Sequence, residues 1–227
     1  MKTNNVKIIL QARTLSYRLW AKSLLPVGNM PLAALCAKRL GNKGHPVIVA
    51  IPSDKSDDAL NKVLKKNNLK VLRGSHKNVL DRYLKSSISM KDNDLIVRAT
   101  ADNPFPDGKF VNEIIKIFHK FERKYICTHQ KFFNLPYGLA IQIFRVGDLR
   151  RVSKKKLSKT DKEHVVPSLV RDKINTVYGN PITQYKKFFT TTKLSIDTIE
   201  DYLRVEKIFS KCKNPIKDNW YDIIKRK

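Results

Sequence analysis

VIVAIPSDKSDDALNKVLKKNNLKVLRG (47–74) packs three element signals into one short stretch. VIVAIP is an unbroken apolar run bounded by proline, the mark of a strand covered on both faces. SDKSDDALNKVLKKNN spaces its apolar residues at helical intervals behind serine and aspartate caps. NLKVLRG then returns to strand character. Working outward, KIILQ (7–11) reads as an earlier buried strand. PLAALCAKRL (31–40) reads as a helix with Pro31 in its first turn. Downstream come a helix (NVLDRYLKSS, 78–87), a strand (DLIVRAT, 94–100), a proline-rich turn (ADNPFPDG, 101–108) and a helix (KFVNEIIKIFHKF, 109–121). Strands alternating with helices predict an α/β fold with a mostly parallel, Rossmann-like sheet flanked by helices.

The second half is less regular. KYICTH (124–129), GLAIQIFRV (138–146), NTVYG (175–179) and KLSID (193–197) read as strands. GDLRRV (147–152), EHVVPSLVRD (163–172), TIEDYLRVEKIFSKC (198–212) and NWYDIIKRK (219–227) read as helices, with SKKKLSKTDK (153–162) as a lysine-rich loop. We expect a single domain over 1–227, with a small strand-and-helix extension at roughly 130–190.

The 227 residues suffice to bury roughly 70% of the unfolded surface without a disulfide or metal staple. With 41% apolar residues, 8 Gly and 10 Pro, the composition excludes collagen-like, low-complexity and disordered chains. No apolar run approaches the ~20 residues of a membrane span, and MKTNNVKIILQAR lacks the apolar stretch of a secretory signal. A cytoplasmic location is expected. Cys36, Cys127 and Cys212 are widely separated and read as reduced structural thiols. Lys and Arg total 46 against 20 Asp and Glu, a net charge of +26. That excess suits nucleic acid, an anionic surface or phosphate-rich small molecules. It is also what an A/T-rich codon bias produces, so charge alone decides nothing. The aromatics fall in core-like positions (Phe118, Tyr202, Phe209), and no nucleic-acid-binding signature accompanies them. A basic nucleic-acid-binding protein is therefore the weaker reading, and no specific nucleic-acid partner is expected.

Ligands of open α/β sheets sit beyond the carboxyl ends of the strands, and three loops there carry chemistry. Residues 12–23 concentrate Arg13, Arg18 and Lys22, cations suited to a polyphosphate, without the Gly-Lys-Ser/Thr of a Walker loop. Asp102 ends one strand, and near a phosphate cradle it suggests Mg²⁺. Asp107, just before a helix, reads as a cap. Asp197 closes LSID and is either a cap or, if its segment lies beside Asp102, a second carboxylate for the same metal.

These residues, taken in order, resemble a known family. KIILQARTLSYRLWAKSLLPVGNMPL, VLRGSHKNVLDRY (71–83), IVRATADNPFPD, PYGLAIQIF (136–144), KEHVVPSLVR (162–171) and LSIDTIEDYLRVEKIF look like segments of the acidic-sugar cytidylyltransferases. The branch they most resemble is that of the spore-coat polysaccharide biosynthesis protein F, related to CMP-KDO and CMP-neuraminate synthetases. The resemblance spans roughly residues 6 to 210. It implies a nucleotide-diphosphosugar-transferase-like fold and Mg²⁺-dependent transfer of CMP from CTP to an anionic acceptor, with pyrophosphate leaving, in surface-glycan (capsule-type) biosynthesis. By position it gives Arg13, Lys22, Asp102 and Asp197 to catalysis, and Asp102 and Asp197 to the metal. Ala12, Arg13, Ser16, Arg18, Lys22, Gly74, Ser75, Arg82 and Thr100 fall to the nucleotide. Tyr137, Gly138, Gln142, Glu163 and His164 fall to the acceptor, and a homodimer is implied.

Departures from the family pattern are also legible. Leu15 stands for Gly and Trp20-Ala21 for Pro-Gly, so Leu15 is expected to redirect the loop. Asn29-Met30 replaces Gly-Lys, and Ala101 replaces the Gly before the metal aspartate. Ala140 and Gln142 replace an Asp and a Glu. A changed acceptor, a nucleotide-binding non-catalytic homologue or partner subunit, and dispensable acids are the three explanations these changes allow.

Overall fold

The computed structural model describes residues 4–120, 125–129, 135–165, 167, 169 and 193–225. Its main sheet contains β1 (Val6–Gln11), β4 (Val47–Pro52), β5 (Lys70–Gly74), β6 (Leu95–Thr100), β7 (Tyr125–Cys127) and β8 (Gln142–Arg145), in the order β5-β4-β1-β6-β8-β7. The pairings β5–β4, β4–β1 and β1–β6 are parallel; β6–β8 and β8–β7 are antiparallel. The chain begins in the middle of the sheet, builds outward through β4 and β5, then crosses back to β6 on the other side of β1. Loops after β1 and β6 thus diverge at the topological switch point, where a crevice opens.

Side-chain alternation along the strands divides the core in two. Ile8, Leu10, Val49, Ile51, Val97 and Ile143 face one layer, with helices α1 (Leu32–Leu40), α2 (Asp58–Lys66), α4 (Gly108–Lys120), α7 (Ile199–Ser210) and α8 (Trp220–Lys225). Ile9, Ala50, Ile96, Phe144 and Tyr125 face the other, with α3 (Val79–Ser86) and α5 (Val146–Ser153). None of the described helices is long and apolar enough to cross a membrane.

Asp107 is the cap the sequence suggests, and more. Its Oδ1 accepts the Phe110 N–H at 2.9 Å, and its Oδ2 accepts the Trp220 N–H at 2.7 Å and lies 3.7 Å from Arg39. The buried Arg39 guanidinium also donates to the carbonyls of Phe105 (2.8 Å), Asp218 (2.9 Å) and Pro215.

Several expectations need correction. KLSID joins no sheet ladder: Leu194 donates to Tyr137 O at 2.7 Å and Ile196 to Asp102 O at 2.8 Å, one bond to each neighbour. The lysine-rich loop does not run to residue 162, because Lys159–His164 forms helix α6, opened by a Ser158/Asp161 capping box. Glu163 and His164 therefore close α6 rather than open a helix, and half of EHVVPSLVRD lies outside the described residues. The helix 58–66 has no side-chain cap from Asp57, whose carboxylate serves the first loop instead. Pro31 precedes the helix as its N-cap and belongs to a small hairpin, β2 (Pro26–Val27) with β3 (Met30–Pro31). Gly28 and Asn29 turn that hairpin at φ 57° and 68°, so Asn29 fills a left-handed position that asparagine tolerates. NTVYG, with residues 130–134, 166, 168 and 170–190 of the expected extension, lies outside the described residues.

Candidate active site

The loop after β1 is built by three anchors. Thr14 N–H donates to the buried Asp57 carboxylate at 2.7 Å, Ser23 Oγ donates to Arg13 O at 2.8 Å, and Ala21 N–H donates to Thr14 O at 3.0 Å. Ala21 itself sits at φ 54°, ψ 21°, a left-handed conformation that glycine adopts freely. Leu15 takes no positive φ, so the residue standing for Gly carries no left-handed strain. Strain instead falls on Ala21. Leu15, Tyr17 and Trp20 project into solvent around the mouth.

This loop closes over a cleft of about 240 Å³ lined by Ala12, Arg13, Ser16, Arg18 and Lys22 from the first loop, Arg82 from α3, and Thr100, Ala101 and Asp102 from the end of β6. Glu163 and His164 of α6 reach the same cleft. Sequence positions from 12 to 164 are thus brought to one place. Gly74 and Ser75 lie behind the wall rather than in it. Ser75 O accepts from Arg82 at 2.6 Å, and a Cβ on Gly74 would stand 2.9 Å from Arg82 Cγ, so these two residues seat the arginine. Burial lowers the Arg82 pKa, with the nearby Arg13 charge acting the same way.

Beside the cleft, two carboxylates converge on one ammonium. Lys22 Nζ donates to Ile196 O at 2.7 Å, to Asp102 Oδ2 at 3.2 Å and to Asp197 Oδ1 at 3.3 Å. Thr100 Oγ1 donates to the other Asp102 oxygen at 2.6 Å. Arg18 reaches Asp197 Oδ1 at 2.8 Å, and Lys193 reaches its Oδ2 at 3.0 Å. Asp197 is not the helix cap. Thr198 is, in a capping box with Asp201, which leaves the Asp197 carboxylate to face the cations. Burial pushes the Asp197 pKa up, but the Lys193 hydrogen bond and the Lys22 charge outweigh it and hold the carboxyl below its ordinary value. The segment 193–197 runs beside Asp102 through Ile196 N–H, the juxtaposition on which a shared metal depended.

Tyr137, Gly138 and Gln142 do not line this cleft. Gly138, at φ 109°, lets the 137–138 turn pass against the 194–195 backbone, where a Cβ would meet Ser195 N at 2.6 Å. Gln142 lies on β8 and accepts from Arg98. Sequence reasoning missed Asp57, which looked like a helix cap, and His76, which lines the cleft and pairs with Asp54 at 2.5 Å. It also missed Lys193. Only the Ser-His segment beside Gly74 carried any signal for His76.

A basic cleft with a carboxylate pair, at the switch point of a mostly parallel sheet, has the charge and the place in the fold to take a polyphosphate. The chain belongs to the cytidylyltransferase family, whose model matches residues 7–223, and is a CTP-dependent nucleotidyltransferase. An uncharacterized protein of Methanocaldococcus jannaschii is 32% identical over 88% of this chain and 83% of its own length. The spore coat polysaccharide biosynthesis protein SpsF of Bacillus subtilis is 28% identical over 92% of this chain and 88% of that protein. The structure of a cytidylyltransferase from Leptospira borgpetersenii shares 26% identity at a TM-score of 0.86, covering 99% of this chain and 94% of the other.

Proposed function

We propose that the protein transfers CMP from CTP to an anionic small molecule, an acidic sugar or a phosphorylated compound, with release of pyrophosphate. The Bacillus subtilis relative, a spore coat polysaccharide biosynthesis protein, supports placing the reaction in the making of a surface polysaccharide, and the cytoplasm is where we place the enzyme. The observation that carries the reading is the convergence of Arg13, Arg18, Lys22 and Arg82 on one cleft whose floor ends in Asp102.

In this reading an acceptor oxygen attacks the α-phosphorus of CTP in line, and the bond to the bridging oxygen of pyrophosphate breaks. Arg13, Arg18 and Lys22 hold the phosphates and take up the charge that spreads over their oxygens as that bond breaks. Ser16, Thr100, the Ala12 backbone and the Gly74-Ser75-Arg82 unit shape the nucleotide pocket. Glu163 and His164 face the acceptor side, together with the Tyr137-Gly138 turn and Gln142. The donor set of Asp102 and Asp197 fits Mg²⁺, a hard ion that takes one or two carboxylates and completes its shell with phosphate oxygens and water. Bound there, Mg²⁺ would supply positive charge to the phosphate oxygens. A homodimer built through the second half of the chain completes the proposal.

The test is pyrophosphate release from CTP, with ATP, GTP and UTP alongside. The acceptors are 2-keto-3-deoxy acids, nonulosonic acids and small phosphorylated compounds, each with and without Mg²⁺. Release that requires CTP, the metal and one acceptor is the expected result. Absence of both turnover and CTP binding would overturn the proposal.

A further inference from the structure

The loop after β1 interleaves bulky apolar side chains with cations: Arg13, Leu15, Tyr17, Arg18, Trp20 and Lys22. Lys22 turns inward to its carboxylates, whereas Leu15, Tyr17 and Trp20 turn out, Tyr17 fully and Trp20 69% exposed. The start of α7 lies against this loop and the hairpin that follows it. Arg18 reaches Asp197 at 2.8 Å, and the Tyr202 hydroxyl donates to Pro26 O at 3.0 Å. That helix adds Ile199 and Leu203, both exposed and one turn apart on the same face. Seven large apolar side chains are exposed among the described residues, and all but Ile88 and Tyr137 belong to these two neighbouring segments. Exposed apolar residues scattered singly are ordinary; a cluster of five marks a surface that meets something.

The cluster is presented on a fixed backbone, tied at Thr14, Ser23 and Ala21. Two of its members, Leu15 and Trp20, are departures from the family pattern, and the phosphate-holding work of Arg13, Arg18 and Lys22 calls on neither. The chemistry of the cluster selects its occupant. Leu15, Ile199 and Leu203 offer no ring on which a nucleobase could stack, which argues against nucleic acid. Tyr and Trp place an apolar ring in hydrocarbon and a polar edge in water, as at a lipid headgroup layer. Arg13 and Arg18 are exposed among them, and the chain carries a net charge of +26. Glu200, exposed beside Ile199, opposes that charge without cancelling it. Aliphatic, aromatic and cationic side chains mixed on one rim match an anionic bilayer, which demands no complementary shape.

We propose that this rim docks the protein on an anionic lipid membrane. Leu15, Tyr17, Trp20, Ile199 and Leu203 enter the headgroup layer, and the surplus positive charge draws the protein to the surface and holds it there. The protein is peripheral, with the mouth of its cleft at the membrane surface. The inference goes beyond the cytidylyl-transfer reading and stands or falls without it.

Trp20 is its own reporter. The chain has two tryptophans, and Trp220 is only 1% exposed, so a change in emission on adding vesicles belongs to Trp20. The full chain is mixed with vesicles of phosphatidylglycerol and phosphatidylcholine, or of phosphatidylcholine alone, and binding is measured in parallel by co-sedimentation. Anionic vesicles are expected to move the emission to shorter wavelength, and the shift is expected to vanish with phosphatidylcholine alone and to shrink as salt is raised. Trp20→Ala and Leu203→Ser should each weaken co-sedimentation roughly tenfold, a part of what full burial of such a side chain is worth. Their melting temperatures should stay at the wild-type value, because both side chains are exposed. Ile88→Ser, an exposed apolar site beyond the far end of α3, should bind as wild type does. Emission unchanged by anionic vesicles would overturn the proposal. So would equal co-sedimentation of wild type and Trp20→Ala, the mark of charge acting alone. A shift that follows protein concentration without lipid would give the patch to a second copy of the chain, and a shift with single-stranded DNA but not with vesicles would give it to nucleic acid; either result overturns the membrane assignment.

Discussion

Replacing Lys22 by methionine tests the centre of the site. The ammonium is largely buried and, among the described residues, is the single cation shared by Asp102 and Asp197, at 3.2 and 3.3 Å. Removing one member of a buried ion cluster costs about 3–5 kcal/mol, because the remaining charges stay desolvated. Here Asp197 keeps Arg18 at 2.8 Å and Lys193 at 3.0 Å, and the Asp102 side chain is 30% exposed. Both features reduce the loss, which we place at about 2–3 kcal/mol. For a domain of this size that is a fall in Tm of about 5–10 °C in EDTA. A divalent ion and the ammonium compete for the same carboxylate oxygens, so Lys22→Met should accept metal more readily than wild type. Binding at a hundred times its Kd returns about 2.7 kcal/mol, enough to restore most of the lost stability. The assay is thermal unfolding of both proteins in EDTA and in a Mg²⁺ or Mn²⁺ titration, without nucleotide. An unchanged Tm in EDTA would refute the energetic argument. Equal metal stabilisation of both proteins would refute the shared position.

Three further predictions follow from geometry away from that cluster. Ala21→Gly relieves a left-handed alanine worth about 1–2 kcal/mol and gives back part of it as unfolded-state entropy, so a net gain of about 0.5–1 kcal/mol and a Tm rise of about 1–4 °C are expected by calorimetry. Gly138→Ala places a Cβ 2.6 Å from Ser195 N at φ 109° and should cost about 3 kcal/mol or more, seen as a large fall in the urea midpoint. Asp201→Asn should change the acid limb of stability. Burial works to raise the Asp201 pKa, but hydrogen bonds from Lys193 and Arg204 outweigh it and hold the group at about 2. Because this pKa is depressed, its contribution is present above the unfolded value near 4 and is lost as pH falls through about 2. Unfolding curves of the asparagine variant between pH 5 and 2 should be correspondingly flatter, and a slope equal to wild type would contradict the assignment.

How far the sequence could be read depended on the range of the interactions involved. β1, β4 and β6 were plain because strands buried on both faces carry runs such as IIL and VIVAI that nothing else explains. The helix 159–164 was hidden because lysine density drew the eye from Ser158 and Asp161, whose spacing is a capping signal. LSID alternates buried apolar and polar residues as a strand does. Yet alternation records which side is covered, not whether a neighbour supplies a ladder, and here two isolated bonds do the holding. Asp57 shows the limit most clearly. An aspartate at a helix start looks the same whether it caps its own helix or, as here, reaches an N–H 43 residues earlier. The cationic loop and the two metal-candidate aspartates were legible one by one, but their meeting at Lys22 is a product of strand order. The pairing of Arg98 with Gln142 likewise depends on a register between β6 and β8 that no local pattern encodes.

The Arg39 hub has a practical consequence for handling the protein. Arg39 grips carbonyls of Phe105, Pro215 and Asp218, while Asp107 grips the Trp220 N–H. The last segment of the chain is thereby lashed to the loop that begins with Asp102, like a guy-rope on a tent pole. Trimming the chain ahead of Trp220, or crowding that end with a fused tag, would slacken the loop and unsettle Asp102 from the far side of the sheet. A cut near residue 215 would remove that tie while leaving every cleft residue in place, and we expect it to lower activity.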